Sequence, residues 1–183
     1  MTRKFQAAFL AVIFVISMLP VSAPAAEQAK QAPTAPIPAP ILEAKKVFVA
    51  NAGGEEPWED DSQFSGDSDR AYNQFYAAMK TWGRYELVNA PAGADLWFEI
   101  RFTVPPASRP VSQGNTLGTA EFDPQLRLVV RDPKTNAILW GFTEHAAWAI
   151  LKGNRDKNFD QCMAKVVADV QRLAQQAADA SKK

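Results

Sequence analysis

Between Leu96 and Thr103, apolar and polar positions alternate almost without a break. Leu96, Phe98, Ile100 and Phe102 fall on one side, and Trp97, Glu99, Arg101 and Thr103 on the other. Successive side chains of a strand point to opposite faces, so this segment predicts a strand with one buried and one open face. Gln125–Arg131 repeats the pattern, with Leu126, Leu128 and Val130 inward and Arg127, Val129 and Arg131 outward. Asp132-Pro133-Lys134-Thr135-Asn136 then supplies a turn, with Asn136 in the left-handed conformation, and an antiparallel strand returns from Ile138. A one-residue change of register in that turn would exchange Ile138, Trp140 and Phe142 with Leu139, Gly141 and Thr143. The aromatic set is expected inside because it buries more apolar area, which leaves Leu139, Thr143 and His145 on the open side.

Two segments carry the helical period instead. Over 68–82, Ala71, Tyr72, Phe75, Met79 and Trp82 share one face, with Asp67 and Asp69 suited to the positive N-terminal end and Gly83 to the stop. Over 158–178 the stripe is Phe159, Met163, Val166, Val170, Leu173 and Ala177, with Asn158 and Gln161 in a capping-box arrangement. Short β-prone runs at 45–50 and 85–88 complete the set, the first ending at Asn51-Ala52-Gly53-Gly54. The stretch 104–124 is proline-rich and aperiodic, longer than most connections, and reads as a flap. The elements predict an α/β fold of the α+β two-layer type. Its mixed five-stranded sheet has chain order β-α-β-β-β-β-α, with two helices on one face and the other face open.

The N-terminus changes the picture of where this domain works. Thr2, Arg3 and Lys4 precede an apolar run from Phe5 to Leu19, and Ala23-Pro24-Ala25-Ala26 offers the small residues of a cleavage site. The run of about 15 residues is short of the roughly 20 that span a bilayer, so 1–25 is expected to be a cleaved export signal for the periplasm or beyond. Pro33, Pro36, Pro38 and Pro40 make 26–44 an extended Ala/Pro-rich linker with no helix or central strand. The folded domain is expected over 45–179.

Charge and candidate chemistry narrow the function. Twenty basic residues balance twenty acidic ones, and losing Arg3 and Lys4 leaves about −2, which offers no attraction for nucleic acid or anionic lipid. No stable membrane insertion is expected after cleavage. Glu55, Glu56, Glu59, Asp60, Asp61, Asp67 and Asp69 crowd a loop around Trp58, but their spacing matches no EF-hand; a solvated loop is expected, and no metal. Gly53-Gly54 has no following Lys-Ser or Lys-Thr, so no nucleotide or other cofactor is expected. His145 is the sole histidine and no Gly-x-Ser-x-Gly elbow occurs; Cys162, the sole cysteine, sits at the edge of the apolar helical stripe as a small buried hydrophobe. The chain is therefore read as a non-enzyme with no catalytic residues. Its candidate binding surface is the open sheet face, carrying Trp97, Glu99, Arg101, Arg127, Val129 and Arg131. Tryptophan and arginine are enriched at interface hot spots, whereas a plain solvated face with Glu99 paired to a neighbouring arginine is the alternative.

The stretches Gly93-Ala94-Asp95-Leu96-Trp97-Phe98-Glu99-Ile100 and Leu128-Val129-Val130-Arg131-Asp132-Pro133-Lys134-Thr135-Asn136-Ala137-Ile138-Leu139-Trp140-Gly141 carry a resemblance. They resemble small exported bacterial proteins in which "ADxxxE" opens a strand and "DxxTGxxLW" forms the next hairpin. That group includes uncharacterised envelope proteins and is similar in architecture to the N-terminal domain of TolB and to CsgG-like and Lpo-like envelope factors. Asn136 stands where the group has Gly, and the lipobox cysteine common among relatives is absent. The resemblance, over about 45–175, implies an accessory or adaptor domain whose partner is another envelope protein, and brings no catalytic residues. A small-ligand or divalent-cation-binding periplasmic protein, with 104–124 closing near the acidic loop, is the second reading.

Overall fold

A computed structural model of the chain describes residues 35–55, 63–106 and 122–180. Its elements are α1 (Ala39–Glu43), β1 (Lys46–Glu55), α2 (Arg70–Trp82), β2 (Glu86–Leu87), a 3-10 turn at Pro91–Gly93, β3 (Leu96–Thr103), β4 (Gln125–Arg131), β5 (Ile138–His145) and α3 (Lys152–Ala180). The strands form one mixed sheet in the order β2-β1-β3-β4-β5. β1 runs parallel to β2 and β3, while β3, β4 and β5 are successively antiparallel. The expected α+β architecture is present, and the export signal expected at 1–25 lies outside the described residues.

The alternation at β3 produces the core directly. Leu96, Phe98, Ile100 and Phe102 are buried beside Val47 and Val49 of β1 and Leu126, Leu128 and Val130 of β4. Onto them α2 lowers Phe75 and Met79, and α3 lowers Phe159, Met163, Val166, Val170, Leu173 and Ala177, the stripe its 3.6-residue period predicts. Phe102 meets Phe64 and Phe159 edge to face, each with ring centroids 4.9 Å apart, a preferred aromatic geometry. Gly83 ends α2 in the left-handed conformation, φ 67°, with its N–H on the Met79 carbonyl, as its position after the apolar stripe implies.

Several boundaries differ from expectation, each for a physical reason. β1 does not stop at Asn51. A bulge between Asn51 and Gly54 carries it to Glu55, with Gly53 at φ 80° and Gly54 so close to β3 that a Cβ there would lie 3.0 Å from the Phe102 carbonyl oxygen. The Ala/Pro-rich stretch does form a helix at its end. Pro40 occupies the first turn of α1, where its missing N–H is harmless, and Ile41 and Ala44 join the core. α3 begins about two turns before Asn158, which is no N-cap: its Nδ2 donates to the Ala147 carbonyl. The added turns are held by Arg155, a buried arginine that donates to the carbonyls of Gln63 (2.6 Å), Ala149 (3.0 Å) and Ile150 (2.6 Å) and lies over the Trp148 ring. Trp140 and Phe142 share the inner face with Val130 and Leu128 as expected, but Ile138 does not. A bulge sets Ile138 opposite Arg131 and leaves it exposed, while Leu139, expected outward, packs against the core.

A polar clamp joins the two long helices. Arg70 of α2 donates to Asp156 (2.6 Å) and Asp160 (2.8 Å) of α3, and lies over the Phe159 ring. Asp156 also accepts from the Ser65 N–H and hydroxyl. Desolvation pushes the Asp156 carboxyl upward, but the Ser65 hydrogen bonds and the Arg70 guanidinium outweigh it and hold the group at about 2. Because the folded value lies below the unfolded one, the carboxylate stabilises the fold fully above the ordinary aspartate value of 3.8, and that contribution disappears as pH falls through about 2. Asp156→Asn is therefore expected to cost about 1–3 kcal/mol at neutral pH. It should also flatten the rise of melting temperature with pH across that acid window, measured by circular dichroism melts of both proteins.

Candidate interaction surface

The outward residues of the sheet form a continuous strip because cross-strand partners share a face. Trp97 lies opposite Arg131, Glu99 opposite Val129 and Arg101 opposite Arg127. On the next strand Val129 faces Gly141, Arg127 faces Thr143 and Gln125 faces His145. All six residues singled out in the sequence thus come together on one side, away from α2 and α3. The same alternation adds Phe48 and Ala50 of β1, with Phe48 directly beside Trp97. Sequence reasoning left them out, although the buried Val47 and Val49 on either side of Phe48 would have placed it there.

The strip has three parts. Phe48 and Trp97, register neighbours on β1 and β3, are each half-buried at one side, and the Trp97 Nε1–H donates to the Pro91 carbonyl at 3.1 Å. In the middle Arg131 grips Glu99 through two parallel bonds of 3.0 Å and donates a third to the Asn136 carbonyl. This is the cross-strand pair expected of a solvated face, in the bidentate geometry that fixes both side chains. Beyond it Arg101 and Arg127 stand as direct neighbours of like charge. Arg127 is exposed and makes no hydrogen bond or ion pair among the described residues. Opposite Val129, Gly141 contributes no side chain, and the valine is half-buried on the strand between Arg127 and Arg131.

The motif residues have other work. Asp95 Oδ2 accepts from the N–H groups of Lys45 (2.9 Å) and Lys46 (2.8 Å), anchoring the start of β1, and these bonds hold its carboxyl below the usual range. Asp132 accepts from the Lys134 N–H and the Thr135 hydroxyl, and Asn136 takes φ 60°, which closes the β4–β5 turn.

At the far end of the strip His145 Nδ1 lies 2.7 Å from Asp123 Oδ1, and Gln125 donates to the other Asp123 oxygen. Burial works against the Asp123 carboxylate, yet these two partners hold its carboxyl below the ordinary value. The pair ties β5 to residues 122–124, where the long connection rejoins the sheet. Its two ends meet through the Asp123 N–H on the Pro105 carbonyl and a bridge between Pro106 and Phe122; its middle, 107–121, is outside the described residues. Cys162 is on the other side of the sheet, buried beneath β5 with Sγ on the Glu144 carbonyl, so it does not pair with His145. Burial pushes its thiol up to about 11.

Most of the acidic loop, 56–62, is also outside the described residues. Of its last members, Asp69 accepts from the Asn51 amide rather than capping α2, and Asp67 accepts from the Asp69 N–H. Among the described residues, no group of three or more His, Cys, Asp or Glu side chains is arranged to hold a metal ion, and no helix is long and apolar enough to cross a membrane.

No protein-family model matches the chain, and no curated protein does. Solved structures do. A PelC dodecamer from Paraburkholderia phytofirmans aligns with TM-score 0.42 and 16% identity over 69% of this chain and 87% of that one. The LpoB C-terminal domain from Salmonella enterica gives 0.37 and 12% over 57% and 83%. An uncharacterised lipoprotein B from Nitrosomonas europaea gives 0.39 and 16% over 76% and 86%. Neither TolB nor CsgG, named in the resemblance above, is among these three.

A buried thiol with so high a pKa stays protonated at neutral pH and out of reach. Cys162 is expected to react with a water-soluble disulfide reagent at least about a hundredfold more slowly in the folded protein than in denaturant, read as absorbance of the released thiolate.

Proposed function

We propose that this protein is an exported, non-enzymatic accessory domain of the cell envelope, and that the open sheet face docks another envelope protein. The observation that carries the reading is that face itself. It is a strip of strand residues turned away from α2 and α3, with Phe48 beside Trp97 at one side and the exposed Arg127 beside the half-buried Val129 at the other. Arg127, exposed and without an ion pair among the described residues, leaves a positive charge on this face of a chain that is close to neutral overall, which favours a partner surface bearing carboxylates. Trp97 and Phe48 supply the apolar anchor, and Arg127 the donor fork for a carboxylate.

A photo-crosslinking residue at Val129 in the native host is expected to capture one dominant envelope protein on irradiation. The same residue at Gln176, on the exposed side of α3, should not. Arg127→Glu is the clean variant, since Trp97 also supports the Pro91 turn. It should weaken capture by roughly tenfold or more while shifting stability by no more than about 0.5 kcal/mol. Equal capture from both positions, or none from Val129, would remove the face from consideration.

A further inference from the structure

The two edges of this sheet are built differently. On one side the outermost strand, β2, is two residues long, and very short edge strands offer little to pair with. On the other side β5 runs eight residues, Ile138–His145, with neither lysine nor proline to discourage pairing.

Which of its backbone groups face outward follows from one bond. The Ala146 N–H donates to the Pro124 carbonyl at 2.8 Å, so Pro124 and Ala146 are a hydrogen-bonded pair continuing the β4–β5 register. Such pairs alternate along an antiparallel ladder, so the amides and carbonyls of Glu144 and Phe142 turn toward β4. Those of His145, Thr143 and Gly141 turn away from it. All three residues are exposed, and their backbone groups have no partner among the described residues.

The exposed large apolar side chains among the described residues flank this same strand: Ile138 at its start, and Ile150 and Leu151 just past its end, at 59%, 87% and 66% exposure. The second pair is held in place. Arg155 bonds the Ala149 and Ile150 carbonyls and Asn158 bonds that of Ala147, so the backbone is fixed while the aliphatic side chains face water.

We propose that β5 pairs antiparallel with β5 of a second copy of this chain about a two-fold axis, joining the two sheets into one. A two-fold contact matches each patch with the other end of its copy, which suits a strand with exposed aliphatic residues at both ends. With Thr143 on the axis, the two Thr143 residues exchange both backbone bonds, Gly141 faces the partner's His145 and Glu144 faces the partner's Phe142. No charged residue meets its like, and Ile138 runs beside residues 146–151 of the second copy. The contact uses the sheet edge, not the side chains of Trp97, Arg127 or Val129, so it stands or falls separately from the docking face.

Sedimentation of the full mature chain over a concentration series, with amide exchange followed by NMR, tests this. A monomer–dimer equilibrium with a dissociation constant of about 1–100 μM is expected. The amides of Gly141, Thr143 and His145 should slow at the dimer end of the series while those of β2 do not. Thr143→Pro removes an outward N–H without breaking a bond to β4, and should give a folded monomer. Ile138→Lys should weaken the dimer by roughly tenfold through the lost apolar contact, and serves if the proline variant does not fold. A monomer throughout the series, or a dimer that leaves the three amides fast or survives Ile138→Lys unchanged, overturns the proposal. So does a monomer whose edge amides slow only when an envelope extract is added, which would give the edge to a foreign strand.

Discussion

The rest of the structure depends on the burial of one face of β3. Leu96, Phe98, Ile100 and Phe102 lie between β1 and β4 and beneath both long helices, so every layer of the core touches this strand. Each such side chain taken from water contributes about 1.5–3 kcal/mol, and together they set which face the helices must cover. The opposite face is then left open by the same alternation. Core and candidate surface are two readings of one eight-residue pattern.

Polar ties hold this layer arrangement in register. Asp95 fixes the start of β1, Asp132 closes the β4–β5 turn, the Glu99–Arg131 pair staples β3 to β4, and Arg70 locks α2 to α3 through Asp156 and Asp160. Four of these residues, Asp95, Glu99, Arg131 and Asp132, lie in the two stretches on which the resemblance expected from the sequence rests. The resemblance is therefore carried by residues that build the sheet, which is why it speaks of architecture and says little about a binding site.

What was legible in the chain was what local periodicity controls. The stripe of α3 from Phe159 to Ala177, the faces of β3 and β4, the left-handed Asn136 and the stop at Gly83 all follow from spacing and backbone preference. What was not legible depends on contacts distant in sequence. The early start of α3 rests on Arg155 reaching the Gln63 carbonyl, and the extension of β1 through Gly53 and Gly54 rests on a close approach to Phe102. The bulge that turns Ile138 outward rests on how β5 settles against Val130 and Arg131. For the candidate face, alternation alone assembled Trp97, Glu99, Arg101, Arg127, Val129 and Arg131. Only the parallel register of β1 brought Phe48 beside Trp97, and only the return of the long connection brought Asp123 to His145.

Cys162 has a consequence for the life of the chain before it folds. With a single cysteine there is no internal partner to consume the thiol, so an unfolded chain in an oxidising compartment would offer it to every small disulfide and to other chains. In the folded state Sγ is under β5, bonded to the Glu144 carbonyl, with its ionisation suppressed by burial. Protection from mixed disulfides therefore comes from closing α3 against the last strand, not from a covalent bond. In such a compartment the chemical fate of this thiol would be decided by a race between folding and oxidation.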